Sequence, residues 1–172
     1  MLKRITLAAT LLIAATTLMA KAPASYSGAW LLAKSESKNL PRNYDIVKSA
    51  RVMVTQDEKT FTINVTIDAE GRPEYKQSFL YPLDGTSRTT ESTIRTPNGP
   101  LQVPTTLAAQ VKDGGVLELT ETRIVSFDPS NKVTVTSTEL WTLSDEGKTL
   151  TIHRKDQRPQ GLQEYDMVFH RE

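Results

Sequence analysis

Four polar side chains occupy positions at which the sequence predicts a buried face. Glu121 and Arg123 fall at alternate positions that are otherwise Leu, Val and Phe, and Ser137 and Glu139 do the same in the next segment. Alternate side chains of a strand point to the same side, so all four are predicted to face the apolar side. A buried charge is unfavourable unless it is paired or hydrogen-bonded. These residues therefore either compensate one another or form a polar anchor for an amphipathic ligand.

The two segments are predicted to pair as a hairpin through a short turn. That pairing places Arg123 opposite Ser137, and Glu121 opposite Glu139. The remaining carboxylate would be protonated or would pair with another arginine, either Arg88 or Arg154. A second interpretation places the four side chains at a solvated barrel mouth, or on the outside through a β-bulge that reverses the alternation.

Large apolar residues complete the predicted binding set. Tyr75, Phe79 and Tyr81 share one face of a predicted strand with Gln77, an arrangement that suits lining a pocket or filling a core. The full set of predicted ligand-binding residues is Arg123, Glu121, Glu139, Ser137, Tyr75, Phe79, Tyr81, Trp141, Met167 and Phe169.

Composition argues against several classes of function. The 172 residues include no cysteine, which excludes disulfides, iron–sulfur clusters and thiolate zinc sites. His153 and His170 take outward positions, and no nucleophile elbow, zinc-helix motif or phosphate loop occurs. A net charge of +1 without a basic block argues against a nucleic-acid partner. We expect no catalysis, metal or cofactor; hydrolysis of glycosides by the Glu121/Glu139 pair is the weaker enzymatic alternative.

Ten strands are predicted to position these residues. Turn signals such as Asp84-Gly85 and Asp113-Gly114-Gly115 recur at the spacing typical of sandwiches and barrels. The predicted strands are 26–33, 49–56, 60–67, 74–83, 86–95, 101–112, 116–127, 133–143, 149–156 and 163–171. A polar connection, 33–48, is the one segment that does not read as a strand.

One face of these strands carries ten of the eleven aromatic residues. The eleventh, Tyr44, lies in the connection. The opposite face is mostly Thr, Ser, Lys, Glu and Asp, whereas a membrane barrel would carry its apolar band outside. Closing the sheet on itself removes exposed edges. We therefore predict an all-β fold, a soluble antiparallel up-and-down barrel of about 8–10 strands. A two-sheet sandwich is the alternative.

The sequence Gly28-Ala29-Trp30 opens the first strand, and Arg171 falls near the end of the last. This combination resembles the calycin superfamily, which includes lipocalins and fatty-acid-binding proteins. The segments 27–32 and 139–151 also resemble exported bacterial lipocalin-like proteins of unknown function. The resemblance implies a structural barrel closure in which Gly28 leaves room for Trp30 and Arg171 stacks on the indole.

The resemblance does not extend to a carboxylate clamp. Fatty-acid-binding proteins hold the ligand carboxylate with an inward Arg-x-Tyr on the last strand, and Met167 and Phe169 stand at those positions here.

The N-terminal segment reads as a cleaved signal peptide, residues 1–24. Lys3 and Arg4 precede an uncharged, mostly apolar run that ends near Ala20, and small residues follow, which suits cleavage after Ala20 or Ala24. The alternative to a signal peptide is a membrane-spanning anchor, but the apolar run is shorter than the roughly 20 residues that such a helix needs. We expect a bacterial protein that is periplasmic or secreted and is not embedded in a membrane after cleavage. The rest of the chain, residues 25–172, is expected to form one domain.

These features predict a barrel that encloses a small, partly apolar molecule, with Arg123 and a neighbouring carboxylate or hydroxyl fixing its polar end. The alternative is a protein-interaction module, such as an inhibitor or envelope-assembly factor, with a packed interior. An interior void of roughly 300–1,000 Å³ would favour the first function.

Overall fold

The computed structural model describes residues 25–96, 99–128 and 131–172. The predicted signal peptide, residues 1–24, lies outside the described residues, as do 97–98 and 129–130 in two of the predicted turns. The side chain of Phe127, one of the ten aromatics assigned to the inward face, is also outside what is described.

Ten strands form in the described ranges, and all ten were predicted, with bounds that differ by at most two residues. They are β1 (Gly28–Leu32), β2 (Val47–Gln56), β3 (Thr60–Ala69), β4 (Tyr75–Pro82), β5 (Ser87–Thr96), β6 (Gly99–Val111), β7 (Leu117–Asp128), β8 (Asn131–Leu143), β9 (Thr149–Arg158) and β10 (Gly161–Arg171). Single 3-10 turns lie at Arg42–Tyr44 and Asp113–Gly115. No helix in the described part of the chain is long and apolar enough to cross a membrane.

The strands make one antiparallel sheet that is nearly closed. Its order is β4-β3-β2-β1-β10-β9-β8-β7-β6-β5. Strands that are consecutive in the chain are neighbours in the sheet, except that β4 and β5 lie at its two ends; the first strand, β1, pairs with the last, β10. β4 lies beside β5 and β6 without a ladder. The predicted up-and-down barrel is confirmed, because the first and last strands join one continuous sheet and leave no separate second layer.

Aromatic side chains from distant strands meet inside the barrel. Phe61 and Trp141 pack edge to face with ring centroids 5.3 Å apart, and Tyr26 packs edge-on against both. All three are buried with Trp30 and Phe169 in one core. Alternation along each strand thus produces the core, because it brings every second side chain to the inside.

One end of the barrel is closed by Trp30. Its indole N–H donates to the carbonyl of Tyr26 at 2.9 Å, and the guanidinium carbon of Arg171 lies 4.2 Å from the ring centroid. Arg171 also donates to the carbonyls of Gly147 and Ser27 at 2.8 and 2.6 Å. At Gly28 a Cβ atom would lie 2.5 Å from Arg171 Nη1, so the missing side chain makes room for the guanidinium rather than for the indole.

The connection between β1 and β2 crosses the opposite end. Its first part runs beside β10. Lys38 and Asp166 form an isolated antiparallel β-bridge through their backbones, and Ser37 Oγ accepts a hydrogen bond from the N–H of Val168 at 3.0 Å. Tyr44 then turns into the barrel, and its hydroxyl donates to the Met167 sulfur at 3.3 Å. Tyr44 is therefore an inward aromatic residue that the alternation does not predict, because a loop has no alternation from which the direction of a side chain can be assigned.

Candidate functional site

A cavity of about 170 Å³ lies inside the barrel. It is smaller than the expected void, because large side chains fill much of the interior. It is not filled completely, and a dry cavity of about 150 Å³ is enough to hold benzene in another protein. Its walls include Tyr44, Ala50, Val52, Ile63, Val65, Ile67, Tyr75, Phe79, Tyr81, Trp141, Ile152, Met167 and Phe169, with Glu121, Arg123, Glu139 and Arg154 as the charged members.

Nine of the ten predicted binding residues line this cavity. The tenth, Ser137, is buried beside it and hydrogen-bonds to Arg154, which does line the cavity. The charged side chains point inward, and the interpretation that a bulge turns them outward is wrong. A wider depression of about 590 Å³ at the closed end lies outside the barrel interior and contains none of these residues.

The predicted register between β7 and β8 is wrong by two residues. Glu121 lies opposite Ser137 and Arg123 lies opposite Val135, so neither predicted pair forms. The error has two equal parts. Next to the turn, Asp128 pairs with Asn131, one residue earlier than the predicted register requires, and an irregularity between Ser126 and Asp128 moves the pairing by one residue more. A bulge adds a residue to one strand only, and the pairing of all residues beyond it moves accordingly.

Glu121 and Arg123 pair with each other along β7. The Nη2 atom of Arg123 lies 2.5 Å from Oε1 of Glu121, and the Glu121 side chain is 7% exposed. Burial raises the pKa of Glu121 above its usual value, against the opposing influence of Arg123 and Arg154. This carboxylate therefore has its counterion in place, and it takes up a proton more readily than an ordinary glutamate as the pH falls.

A second charged network is centred on Arg154. Its Nη1 contacts Oε1 of Glu139 at 2.5 Å, its Nε contacts Oδ1 of Asp156 at 2.8 Å, and its Nη2 donates to Oγ of Ser137 at 2.9 Å. The Ser137 hydroxyl donates in turn to Asp156 at 2.7 Å. Arg158 adds a contact of 3.0 Å to the other oxygen of Asp156. Every charged group in this network therefore has an oppositely charged partner.

Asp156 is ionised in this network. Burial alone would raise the pKa of its carboxyl group, but the Arg154 charge and the hydrogen bonds from Ser137 and Arg158 outweigh it and hold the pKa below its usual value. Burial also raises the pKa of Tyr81 and of Tyr165. Both phenols therefore keep their protons at neutral pH.

Sequence reasoning named Arg154 only as one possible partner and did not name Asp156. The signal was present, since both share the inward alternation of Leu150 and Ile152 on β9. Arg88, the other arginine considered, is exposed on β5.

Three buried polar atoms have no hydrogen-bond partner among the described residues. They are Nε of Arg123, a donor, and two acceptors, Oε1 of Glu121 and Oε1 of Gln77; the Glu121 atom has the Arg123 charge 2.5 Å away as its ion-pair partner. Gln77 lies on β4 between Tyr75 and Phe79, which line the cavity. An unsatisfied buried polar group costs about 1–3 kcal/mol, so the atoms of Arg123 and Glu121, which line the cavity, favour a bound polar group.

The two histidines lie on the outer face. Nδ1 of His153 contacts Asp166 at 2.6 Å, and Nε2 of His170 contacts Glu36 at 2.8 Å. Within the described residues, no group of three or more His, Cys, Asp or Glu side chains is arranged to hold a metal ion.

The fold and site together define a small antiparallel up-and-down β-barrel with a cavity that is apolar on most of its wall and charged on the rest. No protein-family model and no curated protein matches the chain.

Two solved structures are similar in architecture. One is the zebrafish ileal bile acid-binding protein complexed with cholic acid, with a TM-score of 0.44 and 13% identity over 86% of this chain and 98% of that one. The other is lobster apocrustacyanin A1, with a TM-score of 0.40 and 14% identity over 86% of this chain and 61% of that one. Neither similarity assigns a family or a ligand.

Proposed function

We propose that this protein binds a small, partly apolar molecule inside its barrel. The observation that carries the proposal is the cavity itself, about 170 Å³ left open between aromatic walls and charged side chains. A barrel that served only as a rigid platform for a protein partner would gain stability by filling this space, because empty volume in a core is destabilising. The open cavity therefore favours binding of a small molecule over a packed interaction module.

The mechanism is enclosure. Trp141, Phe79 and Tyr81 offer ring surfaces against which an apolar group is removed from water, a transfer that favours binding by about 25 cal/mol per Å² of apolar surface. The polar end of the ligand lies towards Arg123 and Glu121. The volume suits one ring or a short chain.

Fluorine NMR with para-fluorobenzyl alcohol tests the proposal. The wild-type protein is expected to broaden and shift the fluorine signal in a saturable way. Val65→Phe places a ring in the cavity and is expected to abolish the effect, because Val65 lines the wall. The matched control is Asn64→Phe, which adds the same ring on the exposed face of the same strand and leaves binding intact.

The absence of a saturable signal from the wild-type protein would contradict the proposal. So would binding that survives Val65→Phe, because the probe would then occupy a site elsewhere.

We also propose that residues 1–24 direct export and are removed, so that the barrel acts in the periplasm or outside the cell. Support comes from the charged start, the apolar run and the small residues that follow. Expression of the full chain in a bacterium, followed by N-terminal sequencing of the periplasmic fraction, is expected to show a start at Lys21 or Ser25. A product that retains residues 1–24 would contradict this.

A further inference from the structure

The charges beside the cavity balance. Three carboxylates, Glu121, Glu139 and Asp156, pair with three guanidinium groups, Arg123, Arg154 and Arg158. Each has its counterion within 3.0 Å, and no carboxylate or guanidinium of this set is left over for a ligand.

A charged ligand would disturb this balance. A carboxylate would bring an additional negative charge into a space already shielded from water, and an ammonium group would bring an additional positive one. Either ion would lose its hydration without gaining a free counterion, which is the unfavourable case for a buried charge.

Two atoms of the cavity wall lack a hydrogen-bond partner among the described residues: Nε of Arg123 needs an acceptor, and Oε1 of Glu121 needs a donor. Both belong to one ion pair, so they lie close together. A hydroxyl or a primary amide can accept from the first and donate to the second. Such a group therefore satisfies both atoms without adding charge.

We infer that the cavity selects an uncharged ligand, one ring-sized apolar group with a substituent that both donates and accepts a hydrogen bond. This inference rests on the proposed function and states the chemical class of its ligand. It differs from what an Arg-x-Tyr clamp would select, because here each arginine is already neutralised by a carboxylate.

Four compounds with the same ring test the inference by competition against para-fluorobenzyl alcohol at neutral pH. They are benzyl alcohol, benzamide, benzoate and benzylamine. The two neutral compounds are expected to compete at concentrations at least about tenfold lower than the two ions, from the desolvation of an unpaired charge. Equal competition by benzoate or benzylamine would overturn the inference and leave the proposed function standing. Failure of all four to compete would overturn both.

A charge-changing variant sharpens the test. Glu121→Gln keeps the side-chain shape and leaves Arg123 without its carboxylate. The affinity for benzoate is therefore expected to rise at least about tenfold relative to the affinity for benzyl alcohol. The control is Glu118→Gln, since Glu118 lies on the outward face of the same strand and pairs with Lys112. An unchanged ratio of the benzoate and benzyl alcohol affinities in Glu121→Gln would overturn the inference.

Arg123→Gln provides the mirror experiment in case Glu121→Gln does not fold. It leaves Glu121 without its guanidinium, so the affinity for benzylamine is expected to rise relative to the affinity for benzyl alcohol. Folding of each variant is checked by its thermal transition before titration. A folded Arg123→Gln variant that shows no gain for benzylamine would count against the inference.

Discussion

Arg154 and Glu139 are direct cross-strand partners on β9 and β8, with Nη1 and Oε1 2.5 Å apart. The other oxygen of Glu139 accepts a hydrogen bond from the indole N–H of Trp141 at 2.8 Å. Glu139 thus links the charged network to an aromatic ring of the cavity wall. Because Trp141 lines the cavity and is buried in the core, its fluorescence is expected to respond to both ligand binding and unfolding.

Asp156→Asn is expected to destabilise the protein by about 3 kcal/mol at neutral pH, because it leaves Arg154 and Arg158 without a carboxylate they share. Urea unfolding followed by tryptophan fluorescence measures this. Asp68→Asn, on an exposed position of β3, serves as the control and is expected to change little. An equal loss in both variants would contradict the assignment of the effect to the network.

The stability difference between the wild type and Asp156→Asn is expected to depend on pH. The pKa of Asp156 is lower in the folded protein than its ordinary value of 3.8, so the unfolded chain binds the proton more readily. The stability that Asp156 contributes is present above pH 3.8 and is lost as the pH falls through the folded pKa. The difference between wild type and Asp156→Asn is therefore expected to shrink in acid; a constant difference would contradict this.

Glu121 is expected to show the opposite dependence. Burial raises its pKa above 4.5, so the folded protein binds the proton more readily than the unfolded chain. Its contribution is fully present below pH 4.5 and is lost as the pH rises through the folded pKa. Urea unfolding of wild type and Glu121→Gln across this window is expected to show a component that falls with rising pH only in the wild type.

Gly28→Ala is expected to cost about 2 kcal/mol of stability, because a positive φ disfavours any L side chain and the new Cβ would displace Arg171 from its position over Trp30. Gly161→Ala is the matched control, since its φ of +128° is close to the +137° of Gly28 but nothing lies within 4 Å of the new atom. The control is expected to cost about 1 kcal/mol, from backbone strain alone. Equal losses in urea unfolding would show that the closure contributes nothing further.

Tyr44→Ala is expected to widen the site, because the ring of Tyr44 forms part of the cavity wall. Naphthylmethanol, with two fused rings, should then bind to the variant and not to the wild type, as measured by quenching of Trp141 fluorescence. Tyr44→Phe keeps the ring and removes only the hydroxyl that donates to Met167. It should exclude the larger compound as the wild type does, and binding to it would show that Tyr44 does not set the size limit.

The ten strands and their inward faces follow from the sequence because alternation is a local property. Each inward residue on β9, for example, can be assigned from its own strand without knowledge of the others. The pairing of Glu121 with Ser137 could not be assigned this way. It depends on where the turn between β7 and β8 is centred and on one irregular residue beside that turn, and neither leaves a periodic signal.

The sequence by itself determined the class of fold and which side chains lie inside, since a period of two fixes the side of every strand residue. Only the tertiary structure decided what those side chains do there. Arg123 pairs along its own strand, Arg154 joins three partners from two strands, and Tyr44 enters from a loop to narrow the cavity. The physical reason is that distances between strands depend on register and on loop paths, and both are set by packing across the whole barrel.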